Sequence, residues 1–296
     1  MPKPANLQYS NPSNGPISLA VITTFLALFP SLYVWSISNS TALLADVLRS
    51  LSEFLAIFLS WSILRGVNKN KWSGYNYGFG KIEQLASLAV GCALFFSFLI
   101  ILVAAILRFY NPEPLQNISM GLGLSVLSII GNAFLWFKNH ETCISNPSPV
   151  INSQRKLFRA KTFACIIVAV SLALPYFIDL SWGIYADPIG SVLIALFLLY
   201  NAIAIATSSL DDLLDRSIGE AYQLTILKTL IKHEAEYKGL DKIRSRRLGA
   251  RAHIEISLDV DGDRSLRDIE LSTAKIKAEI KESIPEAEVI FIYNVA

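Results

Sequence analysis

Hydrophobic positions in this chain fall into long runs. Six stretches of about 20 apolar residues, the length that crosses a bilayer core, lie near Ile17–Ile37, Ala42–Leu64, Ile82–Leu107, Leu115–Phe137, Leu157–Ile178 and Gly183–Thr207. After Thr207 the pattern turns mixed and charged, which marks a domain boundary. Glu220–Lys238 carries Leu224, Leu227, Leu230 and Ile231 at helical spacing, with Gly239 as a stop. Ala252–Val260 alternates as a strand, with His253, Glu255, Ser257 and Asp259 on one face and Ile254, Ile256, Leu258 and Val260 on the other. Lys242–Arg247 reads as another strand, Ser265 with Asp268 opens a helix to about Ser283, and Ala287–Val295 is a last strand. The pattern predicts a polytopic α-helical membrane protein with six transmembrane helices. A cytoplasmic α+β domain of order αββαβ, ferredoxin or heavy-metal-associated-like, follows. The expected boundaries are a tail at 1–16, a membrane domain at 17–207, a linker at 208–219 and the cytoplasmic domain at 220–296.

The second run is interrupted by Asp46, Arg49 and Glu53. A charge at the bilayer centre costs roughly 2.5 to 3.5 kcal/mol on insertion scales, so such residues face a bundle interior or a wet cavity. Arg49 and Glu53 are four residues apart and share one face, with Asp46 one turn before Arg49. The cluster is either a functional site or an internal salt bridge that makes the helix tolerable in lipid.

Composition agrees with a membrane protein: 53% hydrophobic and 17% charged residues, with mean hydropathy +0.45, exclude a soluble globular domain. The first run lacks the basic segment and small-residue cleavage site of a secretory signal and reads as a retained helix. Loop charges orient the bundle. Arg65, Lys69, Lys71 and Lys81 follow the second span, and Lys138, Arg155, Lys156, Arg159 and Lys161 lie from the end of the fourth into the fifth. The opposite loops hold a single Arg and no Lys. The positive-inside rule then places both termini in the cytoplasm, which suits a bacterial inner membrane. Basic residues spread over short loops, without interleaved aromatics, exclude nucleic-acid binding. Cys92, Cys143 and Cys165 form no CxxC pattern, and Cys92 reads as a small helix-packing residue. Asp259–Asp263 lacks the later ligands of a calcium loop and reads as a strand-to-helix turn. With no Ser/His/Asp set, phosphate loop or HExxH motif, an enzyme is not expected.

The segments ALLADVLRSLSEF, YNYGFGKIEQLASL and YADPIGSVLIALFLLYNA, leading into LDDLLDRSI and the αββαβ tail, resemble the cation diffusion facilitators from Ser18 to Val295. The resemblance implies a homodimer in membrane lipid that exports zinc or another divalent metal against protons. Pairing with a complete facilitator subunit is the alternative assembly. It also implies a tetrahedral transport site made by an i,i+4 pair on the second span and another on the fifth. Those positions are Arg49 and Glu53, and, in the ungapped register, Lys161 and Cys165. Zinc takes three or four His, Cys or carboxylate donors. Arg has no lone pair to offer, and Lys has one only when burial depresses its pKa. Glu53 and Cys165 are too few, and the quartet sums to about +1, brought near zero by Asp46. A divalent metal is therefore not supported by the ligands, and no cofactor is expected.

The loop that usually reads HxxGHG is Tyr75–Gly80 here, and the soluble-domain ligand positions fall near Ser257, Glu270, Ile292 and Asn294, which make no zinc set. His140, His233 and His253 read as surface or interface residues. Gly78, Gly80, Lys81 and Glu83 keep the family pattern. The resemblance pairs Lys81 with Asp215 as a charge interlock at the dimer's membrane–cytosol junction, the alternative being two independently solvated surface charges. Asp187 reads as a cap or topology residue. The expected function is a facilitator-like cation/proton antiporter with an atypical Arg/Glu/Lys/Cys site. The alternative is a non-transporting protein of the same fold that acts as a structural or regulatory partner.

Overall fold

The computed structural model describes residues 14–68, 80–145, 149–177, 183–248, 251–285 and 287–295. Long helices dominate: α1 Asn14–Ser38, α2 Thr41–Asn68, α3 Gly80–Tyr110, α4 Ile118–Ser145, α5 Pro149–Ala173 and α6 Ala186–Leu213. Four of them are long and apolar enough to cross a membrane, over Ser18–Ser38, Gly80–Tyr110, Ile118–Glu141 and Ala186–Leu213. Helices α2 and α5, at 28 and 25 residues, have the length, but charged side chains interrupt their apolar runs.

Ends of α4, α5 and α6 depart from the sequence pattern. Helix α4 starts at Ile118, later than the expected Leu115, because Asn117 adopts φ 47° and turns the chain. The turn is strapped to the end of α1 by Gln116 N–H donating to Ser38 O (3.0 Å) and Asn117 Nδ2 to Ile37 O (3.0 Å). Helix α5 starts earlier than Leu157 and ends at Ala173 in a single 3-10 turn, Leu174–Tyr176, where Pro175 supplies no N–H to continue the helix. Helix α6 continues past Thr207 to Leu213, through the first part of the expected linker.

The chain divides into two compact units. The first holds the described residues up to Arg65 together with Ala89–Ile205. Its core joins Val34, Leu43 and Ala45 to Leu94 and Ile101 of α3, Val168 and Leu172 of α5, and Ile194 and Leu198 of α6. Large apolar side chains such as Phe96, Leu127 and Phe134 point outward and are more than 60% exposed, as lipid-facing positions require. Gly190 marks a close approach of α6 to α5, since a Cβ there would stand 1.8 Å from Ser171 Oγ.

The second unit, Gly66–Leu88 with Ala206–Ala296, contains the α+β fold. Strands β1 Gly239–Leu248, β2 Arg251–Val260 and β3 Ala287–Val295 lie in the order β1-β2-β3, the first pair antiparallel and the second parallel. Helices α7 Glu220–Lys232 and α8 Leu266–Ser283 supply Ile226, Leu230, Ile276 and Ile280 to a core shared with Ile254, Ile256, Leu258 and Val260. Ser265 caps α8, accepting from Asp268 N–H at 3.3 Å and donating to Asp268 Oδ2 at 2.7 Å. Helix α7 stops at Lys232, short of the expected Lys238. A 3-10 turn at Glu234–Glu236 intervenes, and Gly239 opens β1, where a side chain would meet Asp259 Oδ2 at 2.9 Å. His253 and Ser257 are buried despite their polarity because β2 is the central strand. At the Asp259–Asp263 turn, Asp261 accepts from Asp263 N–H and pairs with Lys238 at 3.2 Å. Hydrogen bonding and charge from Lys238 hold its carboxyl below the usual range.

Candidate functional site

The charged face of α2 meets α5 inside the first unit. Arg49 is the centre: its Nε and Nη2 donate to Asp46 Oδ1 at 3.2 and 2.7 Å, and its Nη1 donates to Glu53 Oε1 at 2.5 Å. These contacts follow directly from the i,i+3 and i,i+4 spacing, which puts all three side chains on one helix face. The second oxygen of Glu53 takes Lys161 of α5 at 2.7 Å. Side-chain exposure is 8% for Arg49, 16% for Asp46, 18% for Lys161 and 28% for Glu53, so the guanidinium is deepest and the Glu53–Lys161 link is the most accessible. Cys165, four residues beyond Lys161, is buried, and Asn132 Nδ2 of α4 reaches its Sγ at 3.7 Å while donating to Ser128 O at 2.9 Å.

The result is a chain of alternating charge, Asp46–Arg49–Glu53–Lys161, with zero net formal charge. A metal site needs free donors and negative charge, whereas both carboxylates here are taken up by cations tethered to the protein. Among the described residues, no group of three or more His, Cys, Asp or Glu could hold a metal ion. The Glu53–Lys161 pair is the ionic link between α2 and α5 in this network.

Residues 17–214 match the family described as the cation efflux transmembrane domain, and 222–292 match the cation efflux protein cytoplasmic domain. The chain belongs to the cation efflux, or cation diffusion facilitator, family. A relative named cation-efflux pump FieF from Shewanella oneidensis is 28% identical over 274 residues, covering 92% of this chain and 91% of the relative. Protein p34 of Rickettsia rickettsii is 22% identical over 92% of this chain and 88% of its own. FieF of Serratia proteamaculans is 23% identical, with 92% and 90% covered.

This facilitator places its other sequence-predicted residues as follows. Lys81 Nζ lies 3.2 Å from Asp215 Oδ2 within one chain, and Arg246 Nη1 of β1 lies 3.4 Å from the same oxygen. Asp215 sits at φ 56°, a conformation that Asp, Asn and Gly tolerate best. Asp187 belongs to α6 but caps α2. It accepts from Ser40 Oγ (2.5 Å), Thr41 N–H and Oγ1 (both 2.7 Å) and Ala42 N–H (3.1 Å) and is 1% exposed. A carboxylate on the free N–H groups of a helix start is favoured by hydrogen bonding and by the helix dipole together. Cys92, expected to pack between helices, is exposed. His253, expected at a surface or interface, is buried, with Nε2 at 3.2 Å from Glu255. His233 joins Lys232 on Glu279, and hydrogen bonds from Lys232 and then His233 hold that carboxyl below the usual range. Ser257 is buried and Ile292 exposed, which is no ligand pair. The Tyr75–Phe79 loop and the side chain of Cys143 lie outside the described residues. Asn132, which reaches Cys165 from α4, carries one signal in the sequence, an amide inside the apolar run SIIGNAFLWF.

Proposed function

We propose that this facilitator is a six-span cation/proton antiporter of the bacterial cytoplasmic membrane, with both termini cytoplasmic and a homodimeric assembly. Its inter-helix site works on Glu53 and Lys161 and does not carry zinc in the family's usual way. The observation that supports this reading is the 2.7 Å Glu53–Lys161 bond, which joins α2 to α5 in a network of zero net charge. Protonation of Glu53 releases α5 from α2, and loss of that proton restores the bond, so proton occupancy is coupled to the separation of the two helices. The pumps named among the relatives support cation transport. No enzymatic step is assigned.

Proteoliposomes carrying an internal pH dye, challenged with zinc, iron, manganese, cadmium, sodium or potassium, test the proposal. The expected result is cation-driven proton movement with at least one non-zinc ion, abolished in Glu53→Gln. Zinc flux that survives Lys161→Met and is lost in Cys165→Ala would overturn the tethered-cation account. The saturation of both carboxylates by Arg49 and Lys161 also favours a second reading, a locked non-transporting subunit that serves as partner to another protein. Absence of flux with every ion, from folded and correctly inserted protein, selects that reading.

A further inference from the structure

A second cluster of charge lies at the end of the α4–α5 hairpin, outward of the quartet's Lys161. Three contacts fix the register of these antiparallel helices: Asn132 to Cys165 at 3.7 Å, Trp136 to Phe163 at 6.3 Å between ring centres, and His140 Nδ1 to Arg155 Nη1 at 3.3 Å. That register sets Lys138 level with Arg159, and Glu141 level with Lys156. Lys138, Lys156 and Arg159 are exposed, and Arg155 is half-buried beside His140. Between Lys138 and Arg159 the chain has these four cations and one acid, Glu141.

Aromatic rings lie immediately inside this band. Trp136 stacks on Phe137 at 5.2 Å and contacts Phe163, and at about 1.5 Å per residue the tier from Lys138 to Glu141 lies roughly 3 to 8 Å further along the helix. Rings followed outward by cations is the order of side chains at a bilayer's headgroup boundary. Below the rings the same hairpin presents Leu127, Ile130, Phe134, Phe163 and Val170, exposed between 49% and 67%.

We propose that this end of the hairpin binds an anionic phospholipid of the cytoplasmic leaflet, its phosphate held by Lys138, Lys156 and Arg159 and its acyl chains laid along the exposed apolar side chains beneath. The inference rests on the membrane orientation proposed above. The continuity of cations, rings and apolar surface selects a lipid over a soluble anion, which would use the cations and gain nothing from the rest. The same helix carries Lys161 one half-turn further in, so an occupied lipid site anchors the element that closes onto Glu53.

Full-length protein in nanodiscs and in detergent tests this by native mass spectrometry and by thermal shift. The probes are phosphatidylglycerol, phosphatidylcholine and inorganic phosphate. The expected result is retention of phosphatidylglycerol and not of the other two. Affinity falls by about two orders of magnitude in Lys138→Gln/Lys156→Gln/Arg159→Gln, at roughly five-fold per charge, and rises in Glu141→Gln. Equal retention of phosphatidylcholine, an unchanged triple variant, or inorganic phosphate binding as tightly as the lipid would overturn it. Should the triple variant fail to fold, the response of Glu141→Gln decides alone. Protein that enters no nanodisc of any composition would contradict the membrane reading itself, whereas protein that enters without lipid preference contradicts the lipid site alone.

Discussion

Replacing Arg49 by Met keeps an unbranched apolar stem and removes the charge that two carboxylates share. Glu53 retains Lys161 at 2.7 Å, but Asp46, 16% exposed, has no other cation within ion-pair distance among the described residues. Removing one partner of a buried pair destabilises by about 3 to 5 kcal/mol, chiefly through the charge left behind. Because Glu53 keeps a partner and both acids retain some access, the lower end applies, about 3 kcal/mol. At roughly 2 to 4 °C per kcal/mol, this is a fall of about 6 to 12 °C in the unfolding midpoint in detergent. Arg49→Met combined with Asp46→Asn removes the stranded charge while leaving the Glu53–Lys161 bond, so it should return to within about 1 kcal/mol of the natural chain. A single Arg49→Met variant that melts within 2 °C of the natural protein, by the conversion above, would refute the claim that the guanidinium neutralises this face. So would a double variant no more stable than the single one.

Gly190→Ala should push α6 from α5, since even the Cβ of Ser171 lies 2.8 Å from the new atom. The expected loss of about 1 to 3 kcal/mol, read by thermal unfolding, should be partly recovered by adding Ser171→Gly. At Asp215 the backbone sets the ranking. Asp215→Asn keeps the tolerance for φ 56° and loses half-exposed ion pairs worth about 1 kcal/mol or less, whereas Asp215→Val adds strain and should melt clearly lower. Glu279 has its folded pKa depressed by Lys232 and His233, so its stabilising contribution is present above the unfolded value and is lost as pH falls through the folded one. The stability difference between natural and Glu279→Gln protein should therefore be largest near pH 7 and vanish below the carboxylate range, in pH-dependent denaturation of the full chain.

What the sequence discloses here is local. Asp46, Arg49 and Glu53 declare a shared face through spacing alone, and the alternation over β2 separates Ile254 and Ile256 from His253. The apolar runs mark the helices, and those of α2 and α5 are broken by the charges that make the site. What the sequence hides is set by tertiary partners. Asn132 is one amide in an apolar stretch until α5 brings Cys165 beside it. Asp187, placed at a helix start by its Asp-Pro context, serves the start of a different helix, α2, and nothing in its own segment names that recipient. The late start of α4 has the same origin: the Asn117 side chain and the adjoining Gln116 N–H bond to the last carbonyls of α1.

The four hydrogen bonds on Asp187 give α2 a fulcrum. With the first turn of α2 clasped by Asp187 of α6, a tilt of the helix would be a swing about Thr41, its displacement growing along the length. Glu53 lies about 18 Å from that pivot and Arg65 about 36 Å, at 1.5 Å per residue. A tilt of only about 5° would therefore move Glu53 by about 1.6 Å, enough to part it from Lys161, and Arg65 by about 3 Å, while the clasped end at Thr41 stays in place. A tilt of α2 would therefore widen its gap to α5 away from Asp187 and leave it narrow beside that carboxylate.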